Sequence, residues 1–374
     1  MKKNLLIILM SGIMLSPACA DIQDPDSTEQ AQVEFDVEVV TDKLSNPWGM
    51  AWLPDGRMLV TERAGDIRIV QDGKLLADKV QGFPEVYAQG QGGLMDIKLH
   101  PDYASNGWIY FTYSSPSGGG NAHTAVLRAK LQGNQLVNQE KLFQALPQVR
   151  SGVHYGSRLV FDGNGYMYIS VGERGTMQNA QDLSTHSGSI IRLHDDGRIP
   201  SDNPFVNQAG AMREIWSYGH RNPQGMAMHP VTGAIWAHEH GPKGGDELNI
   251  IQKGKNYGWP LVSYGINYDG RPITDKQEME GVENPVHYWD PSIAPCGMAF
   301  VTGDKYPGWK NSILIGALSF RYVARVEVKD GKFVREEKLL QDIGRVRAIE
   351  QGPDGLIYVA TESPGQIVRL VPKK

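Results

Sequence analysis

The chain repeats one pattern, in which apolar residues lead into a Pro-Asp-Gly-like turn and a β-rich strand follows the turn. Two clear copies read WGMAWLPDGRMLV from Trp48 and RVRAIEQGPDGLIYVA from Arg345. Short runs rich in Val, Ile, Tyr and Trp, bounded by Gly, Pro and Asp, are typical of β-strands. Further copies begin at Met95, Ser157, Gln224 and Cys296.

The copies are roughly 45 to 70 residues apart, which is the spacing of propeller blades with insertions. No segment keeps a helical period. We therefore predict an all-β fold, a six-bladed β-propeller. We expect a first strand over residues 34–40 to pair with residues 366–370 and close the ring. The alternative, two stacked β-sandwiches, predicts Greek-key irregularity rather than six similar units.

The N-terminus has the three parts of a secretory signal. Two lysines precede an apolar run over residues 5–15 and a small-residue site, Ala18-Cys19-Ala20. We predict a signal peptide over residues 1–20, a flexible tether over 21–32 and a propeller domain over 33–374. The protein is expected to be exported, periplasmic or secreted. Lipid attachment at Cys19 is a second option.

Composition narrows the range of partners. The formal net charge is −5 and no basic run occurs, which argues against nucleic acid as a partner. No run beyond the signal approaches the roughly 20 apolar residues that a membrane span needs. After cleavage only Cys296 certainly remains, so no intrachain disulfide is expected. A monomer and a homodimer both stay open.

Polar residues beside Gly or Pro recur near the strand ends of different copies. In a propeller the inner strand of every blade lines a central channel, so such residues converge. A polar or anionic ligand in the channel would explain the pattern. The residues are Gln91, His154, Arg158, Arg221, Asn222, His240, Arg345 and Arg347.

Several motifs, in this order, resemble the soluble quinoprotein glucose dehydrogenases, and most closely their aldose sugar dehydrogenase branch, which uses pyrroloquinoline quinone (PQQ). They are GQGGLMD at Gly90, HYGSRLVF at His154, GHRNPQG at Gly219, HEHGPKGGDE at His238, NYGWP at Asn256 and RVR at Arg345. The resemblance implies a six-bladed propeller with PQQ and calcium at the channel mouth. It also implies an aldose substrate, oxidised at the anomeric carbon to an aldonolactone, and an external electron acceptor.

The resemblance also implies roles for single residues. His154 matches the general base that takes the sugar hydroxyl proton while the hydride passes to PQQ. Glu173, where many relatives have Asp, matches the group that orients this histidine. Arg221 and Asn222 match the pair that contacts the quinone oxygens, and the arginine would stabilise the charge that develops there.

Further residues match cofactor and metal positions of the family. The cofactor contacts are Gln91, His240, Tyr268, Arg345 and Arg347, with Ser319 and Arg321 as candidates. The metal ligands are the carbonyls of Gly241 and Pro242 for the calcium beside PQQ, and Glu247 and Tyr257 for a second, structural calcium. Calcium accepts carbonyl oxygens readily, which makes a Gly-Pro ligand pair chemically reasonable.

The chain departs from the family pattern at two places. Relatives have a lysine beside the quinone where this chain has Ser319, and Arg321 could supply that charge instead. Relatives often have Asp before the catalytic histidine, where this chain has Val153. Both changes put the sugar preference in doubt.

Alternatives remain open from the sequence. His154 could be a structural histidine, and His238 with His240 could bind zinc, although no third ligand motif accompanies them. A calcium-dependent propeller lactonase would hydrolyse rather than oxidise. A non-catalytic propeller that binds a glycan or a protein is the third possibility.

Overall fold

The computed structural model describes residues 33–373, whose strands form six four-stranded sheets. The predicted signal peptide, tether and lipid site at Cys19 lie outside the described residues. The first strand, β1 (Phe35–Thr41), belongs to the last sheet. Each sheet is one blade, and we number the blades from 1 to 6 along the chain.

The remaining strands follow in chain order, each blade beginning with its innermost strand. Blade 1 contains β2 (Pro47–Trp52), β3 (Met58–Glu62), β4 (Ile67–Gln71) and β5 (Lys74–Val80). Blade 2 contains β6 (Leu94–Leu99), β7 (Ile109–Pro116), β8 (Ala122–Gln132) and β9 (Gln135–Gln144). Blade 3 contains β10 (Leu159–Phe161), β11 (Tyr166–Val171), β12 (Ser189–His194) and β13 (Ile215–Tyr218).

The second half of the ring is built in the same way. Blade 4 contains β14 (Pro223–Met228), β15 (Ile235–Glu239), β16 (Asp246–Ile251) and β17 (His287–Trp289). Blade 5 contains β18 (Pro295–Phe300), β19 (Ile313–Ala317), β20 (Val323–Lys329) and β21 (Lys332–Leu339). Blade 6 contains β22 (Val346–Gln351), β23 (Ile357–Glu362), β24 (Gly365–Pro372) and β1.

The ring closes through the first strand of the chain. β1 pairs antiparallel with β24, so that Phe35 lies opposite Pro372 and Val39 opposite Val368. This pairing gives blade 6 its fourth strand and removes an exposed sheet edge. The propeller and its closure are as predicted, and the sandwich alternative is wrong.

Helices contribute little to the described part of the chain. It contains one four-residue α-helix, α1 (Tyr103–Asn106), and one 3-10 helix (Met177–Gln181). Within residues 33–373 no helix has the length and apolar character that crossing a membrane requires. Cys296 is a free, buried cysteine, as expected.

The apolar core lies between the blades. Six clusters of buried apolar residues each join two neighbouring blades around the ring. Between blades 1 and 2, for example, Ile67 and Phe111 pack in one cluster and are fully buried. Because both faces of a blade are covered, every residue of β18 is buried. The blades therefore form a rigid wall around the channel.

The innermost strands are bulged near their first residues. In β2, β14 and β22 the strand pairing skips one residue, which is Trp48, Gln224 and Arg347 respectively. A β-bulge leaves the extra residue unpaired and changes the direction of its side chain. In β18 the pairing likewise skips Gly297. Two of these skipped residues, Gln224 and Arg347, line the cavity described next.

Candidate active site

A cavity of about 280 Å³ lies at the end of the channel where the innermost strands begin. Five of the six blades contribute to its wall. Its charged side chains are three arginines and one glutamate. The lining residues are Asn46, Arg63, Gly90, Gln91, Asn222, Gln224, His240, Ala294, Leu318, Arg345, Arg347 and Glu362.

His154 lies in the loop before β10 and is joined to this wall by Gln91. The backbone N–H of His154 donates to Oε1 of Gln91 at 2.8 Å. The His154 backbone has a positive φ of 53°, a conformation that is uncommon for residues other than glycine. The loop thus ties the backbone of His154 to Gln91 of the cavity wall.

A buried carboxylate orients the His154 ring. Nδ1 of His154 lies 2.8 Å from Oε1 of Glu173, whose side chain is only 2% exposed. The other carboxylate oxygen accepts the backbone N–H of Gly175. Because a carboxylate only accepts, the ring proton lies on Nδ1 and the lone pair on Nε2. Nε2 has no hydrogen-bond partner among residues 33–373.

The environment of His154 favours the neutral ring. Burial lowers the pKa of His154, the Glu173 carboxylate opposes this by raising it, and the nearby Arg221 lowers it again. The net direction is downward. A neutral imidazole with a free Nε2 can accept a proton from a bound molecule at neutral pH.

The two arginines of blade 6 share one carboxylate. Nε of Arg347 lies 2.7 Å from Oε1 of Glu362, and Nε of Arg345 lies 3.2 Å from Oε2 of Glu362. Burial alone would raise the pKa of Glu362, but Arg347 and Arg345 lower it below its usual value. The carboxylate therefore stays charged and holds both guanidinium groups at the cavity wall.

Two amide side chains also present donors to the cavity. Oδ1 of Asn222 accepts the backbone N–H of Gly156 at 3.1 Å, and Oε1 of Gln91 accepts that of His154. Within residues 33–373 their amide NH₂ groups have no hydrogen-bond acceptor. Both residues line the cavity. A wall rich in cations and N–H donors suits an anionic ligand with carbonyl or carboxylate oxygens.

Arg221 lies behind the main cavity, beside the loop that follows β15. Its guanidinium donates to the carbonyl of Gly241 at 2.8 Å and to that of His240 at 3.1 Å. Its backbone N–H donates to Oε2 of Glu239 at 2.5 Å. In this structure Arg221 therefore contacts the main chain of the predicted calcium loop and does not line the main cavity.

Two carboxylates lie side by side next to this loop. Glu239 of β15 pairs with Glu247 of β16, and both line a small cavity together with Tyr257. Burial and the neighbouring Glu239 raise the pKa of Glu247 to about 8. Adjacent buried carboxylates repel each other unless a cation or a proton lies between them. Both oxygens of Glu239 already lie beside N–H groups, Oε1 at 2.8 Å from Nδ1 of His220 and Oε2 at the backbone N–H of Arg221. Carboxylate oxygens with remaining lone pairs are ligands that calcium accepts.

Comparison with known proteins agrees with this geometry. A family model described as glucose / sorbosone dehydrogenase matches residues 44–369. The chain belongs to the glucose/sorbosone dehydrogenase family. It is 46% identical over 350 residues to aldose sugar dehydrogenase YliI of Escherichia coli (strain K12), covering 92% of this chain and 94% of that protein. The predicted family is thereby confirmed.

Solved structures show the same architecture. The apo crystal structure of the soluble aldose sugar dehydrogenase from Escherichia coli superposes with a TM-score of 0.88 at 45% identity, covering 91% of this chain and all of that chain. The PQQ-bound aldose sugar dehydrogenase of Streptomyces coelicolor gives a TM-score of 0.74 at 28% identity, covering 91% and 99%. The chain is an oxidoreductase of this sugar dehydrogenase family.

Some predicted contacts of this sugar dehydrogenase do not reach the cavity. The side chain of Tyr268 is exposed, at 75%, and Ser319 and Arg321 are exposed as well. Their neighbour Leu318 does line the cavity. The cofactor roles of Tyr268, Ser319 and Arg321 remain predictions.

Other residues of the sugar dehydrogenase site were not predicted from the sequence. Glu362 and Gln224 hold Arg347, and Glu239 forms the carboxylate pair with Glu247. A signal existed for Glu239, because a charged residue stands between two histidines in a strand that is otherwise apolar. Glu362 gave no such signal, because its contact with Arg347 depends on a strand pairing that cannot be read from the sequence.

His238 and His240, the two histidines that the sequence offers as zinc ligands, make other contacts. Nε2 of His238 lies 3.0 Å from the carbonyl of Gly297, and Nε2 of His240 lies 2.9 Å from the carbonyl of Pro295. Both rings therefore donate N–H groups across to blade 5. Within residues 33–373 no group of three His, Cys, Asp or Glu side chains is arranged to hold a metal. The two histidines join the blades.

Proposed function

We propose that the protein oxidises aldoses at the anomeric carbon with PQQ, in a calcium-dependent reaction, and passes the electrons to an external acceptor. The observation that carries this proposal is His154. Its Nε2 is free, its Nδ1 is fixed by Glu173, and its backbone is hydrogen-bonded to Gln91, which lines a cavity rich in cationic donors.

The cavity fits PQQ by the chemistry of its donors. PQQ carries three carboxylates and two quinone carbonyls, so it needs cations and N–H groups. Arg345 and Arg347 suit its carboxylates through their planar guanidinium groups. The amide NH₂ groups of Gln91 and Asn222 suit its carbonyl oxygens. When bound, PQQ supplies the acceptor for the hydride that the sugar carbon loses, which leaves an aldonolactone.

His154 does the proton chemistry. Its free Nε2 takes the proton of the anomeric hydroxyl, which becomes the lactone carbonyl. The Glu173 carboxylate then stabilises the imidazolium, because it accepts the Nδ1–H at 2.8 Å. General base catalysis of this kind contributes a factor of roughly 10² to 10⁴. Since burial lowers the pKa of His154, the base is neutral at the start of the cycle.

The predicted calcium ligands present oxygen donors. The Gly241 carbonyl already attracts one cation, the Arg221 guanidinium at 2.8 Å. A carbonyl has two lone pairs, so a calcium ion beside PQQ could share it with Arg221. The carbonyl of Pro242, the other predicted ligand, belongs to the same buried loop.

The second calcium would neutralise the carboxylate pair of Glu239 and Glu247. The Tyr257 hydroxyl is engaged with the main chain, since it donates to the carbonyl of Ile250 at 2.6 Å and accepts from the N–H of Gln252 at 2.8 Å. Tyr257 therefore offers its main-chain oxygen to a cation. We propose Glu239 as an additional ligand of this site.

The other function classes fit less well. A lactonase would need carboxylate and Asn ligands around a channel metal, whereas the cavity has one carboxylate, Glu362, which two arginines neutralise. A passive binding platform has no use for a buried carboxylate that orients a histidine. We also propose export through residues 1–20 and an external electron acceptor outside the cytoplasm.

The test uses purified protein loaded with PQQ and calcium, an artificial dye as acceptor, and two matched sugars. Glucose has a free anomeric hydroxyl, whereas methyl glucoside has that hydroxyl blocked. We expect dye reduction with an aldose such as glucose, none with its methyl glycoside, and a lactone as product. Equal rates with both sugars would contradict oxidation at the anomeric carbon.

A further inference from the structure

One arginine lies at the centre of the ring and contacts all the other blades. Arg158 precedes β10 in blade 3, and its side chain is only 4% exposed. It does not line the cavity. Arg158 lies below the cavity, where the channel would otherwise continue through the protein. The proposed mechanism does not use this arginine.

The guanidinium group of Arg158 is almost fully bonded. Nε donates to the carbonyl of Gln224 at 2.8 Å, and Nη2 donates to the carbonyl of Arg347 at 2.7 Å. Nη2 also lies 3.5 Å from Sγ of Cys296, and Nη1 lies 3.4 Å from Oδ1 of Asp96. These partners belong to the innermost strands of blades 4, 6, 5 and 2.

The fifth blade in contact is blade 1. The guanidinium carbon of Arg158 lies 3.9 Å from the centre of the Trp48 ring, a cation–π contact. Arg158 therefore touches the innermost strand of each of the five other blades. A rigid planar group with five donors is suited to such a role, and a lysine is not.

The contacts concentrate on the bulged residues. Trp48, Gln224 and Arg347 are the three residues that the strand pairings of β2, β14 and β22 skip. At a bulge the ladder is disrupted. Arg158 binds the freed carbonyls of Gln224 and Arg347, so it stabilises the main chain where the bulges occur.

Two of these residues, Gln224 and Arg347, face the cofactor cavity with their side chains. Oε1 of Gln224 accepts from Nη1 of Arg347 at 2.8 Å, and both side chains line the cavity. The position of the Arg347 guanidinium is thus set from above by Glu362 and from below, through its main chain, by Arg158.

We propose that Arg158 is a positioning residue for the cofactor. It ties the bulged main chain of Gln224 and Arg347 to the centre of the ring, and thereby holds their side chains in the geometry that binds PQQ. This inference rests on the proposed function, because it takes PQQ as the ligand of the cavity.

The experiment compares the buried Arg158 with a second cation of the same channel, the partly buried Lys98. Arg158→Met removes the donors and keeps an apolar stem. Lys98→Met is the matched control, because Lys98 pairs with Glu350 at the other end of the channel and touches no lining residue of the cofactor cavity. PQQ affinity is measured by quenching of tryptophan fluorescence at fixed calcium, beside the melting temperature of each protein.

We expect Arg158→Met to weaken PQQ binding on the order of 10-fold or more, because a small misplacement of positioning groups has a large effect. Lys98→Met should lower the melting temperature and leave the PQQ affinity within about twofold, because Lys98 pairs with Glu350 and neither residue lines the cofactor cavity. The KM for the sugar should stay unchanged in Arg158→Met. Equal loss of PQQ affinity in both variants would overturn the proposal, because it would show a general effect of lost stability.

A second variant covers the case in which Arg158→Met does not fold. Arg158→Lys keeps the charge but replaces the two nitrogens, Nε and Nη2, that donate to the carbonyls of Gln224 and Arg347 by a single nitrogen. We expect it to fold and to bind PQQ more weakly than the wild type. Unchanged PQQ affinity in Arg158→Lys would overturn the proposal. Failure of the wild type to bind PQQ would instead refute the proposed function.

Discussion

Replacing Glu173 by Gln tests the role of the buried carboxylate most sharply. The carboxylate accepts two N–H groups, Nδ1–H of His154 at 2.8 Å and the backbone N–H of Gly175. A glutamine of the same size has only one acceptor oxygen, so one of the two N–H groups would face its NH₂ group. If that group is the ring, Nδ1 must accept and the proton moves to Nε2, which removes the base.

The magnitude follows from the hydrogen bond that is lost. A hydrogen bond to a charged group contributes about 1.5 to 3 kcal/mol, or roughly 10- to 150-fold in rate if it strengthens in the transition state. We expect Glu173→Gln to lower kcat by about this factor. PQQ affinity should change little, because Glu173 does not line the cofactor cavity.

The pH profile provides a second readout. The charge of Glu173 raises the pKa of His154 against the effect of burial. Without that charge the pKa falls further, so the acidic limb of kcat/KM should move to lower pH while the plateau drops. Glu173→Asp is the control, because it keeps the charge and shortens the reach. A Glu173→Gln enzyme with ordinary kcat and an unmoved acidic limb would refute this reasoning.

Four further variants test other parts of the site. His154→Ala should lower kcat on the order of 10² or more with PQQ titration nearly unchanged, whereas ordinary turnover would place the base elsewhere. Because Arg321 is exposed, Arg321→Ala should leave the PQQ affinity unchanged. Ser319→Lys should raise the PQQ affinity about 10-fold or more. Unchanged affinity in both variants would show that this segment does not face the cofactor. Above about pH 8, where Glu247 is ionised beside Glu239, Glu247→Gln should raise the melting temperature without calcium, because it removes a buried like charge. It should also abolish most of the roughly 2.7 kcal/mol that calcium at about 100 times its Kd adds to the stability of a binding protein. An undiminished calcium effect would exclude this ligand.

The fold could be predicted because its signals are local. Each blade has a Pro-Asp-Gly-like turn between β-rich strands, and the six predicted copies begin within two residues of the observed innermost strands. The closing strand could also be predicted, because an open ring would leave strands unpaired at residues 34–40 and 366–370. The blade repeats depend on residues that are close together in the sequence, and the closing strand follows from the rule that exposed sheet edges are covered.

The site was harder to predict, because its contacts join distant blades. The pairing of Glu239 with Glu247 depends on the register of β15 and β16, which the sequence does not fix. Arg158 was expected among the residues that converge in the channel. The sequence did not show that it lies below the cavity and binds the bulged strands, because bulges arise from pairings between strands.

Exposed loops were the least predictable part. Tyr268 belongs to a long connection between β16 and β17, and its side chain is exposed at 75%. Whether such a side chain reaches a cofactor depends on how the loop folds over the channel mouth. No periodic pattern of apolar residues fixes that, because the loop contributes little to the core.

The central claim is that the cavity binds PQQ and uses it with calcium to oxidise an aldose. The most direct measurement is dye reduction by the purified apo-protein with an aldose and each combination of PQQ, calcium and nicotinamide cofactors. We predict turnover only when PQQ and calcium are both present. Turnover with a nicotinamide cofactor and no PQQ would contradict the account.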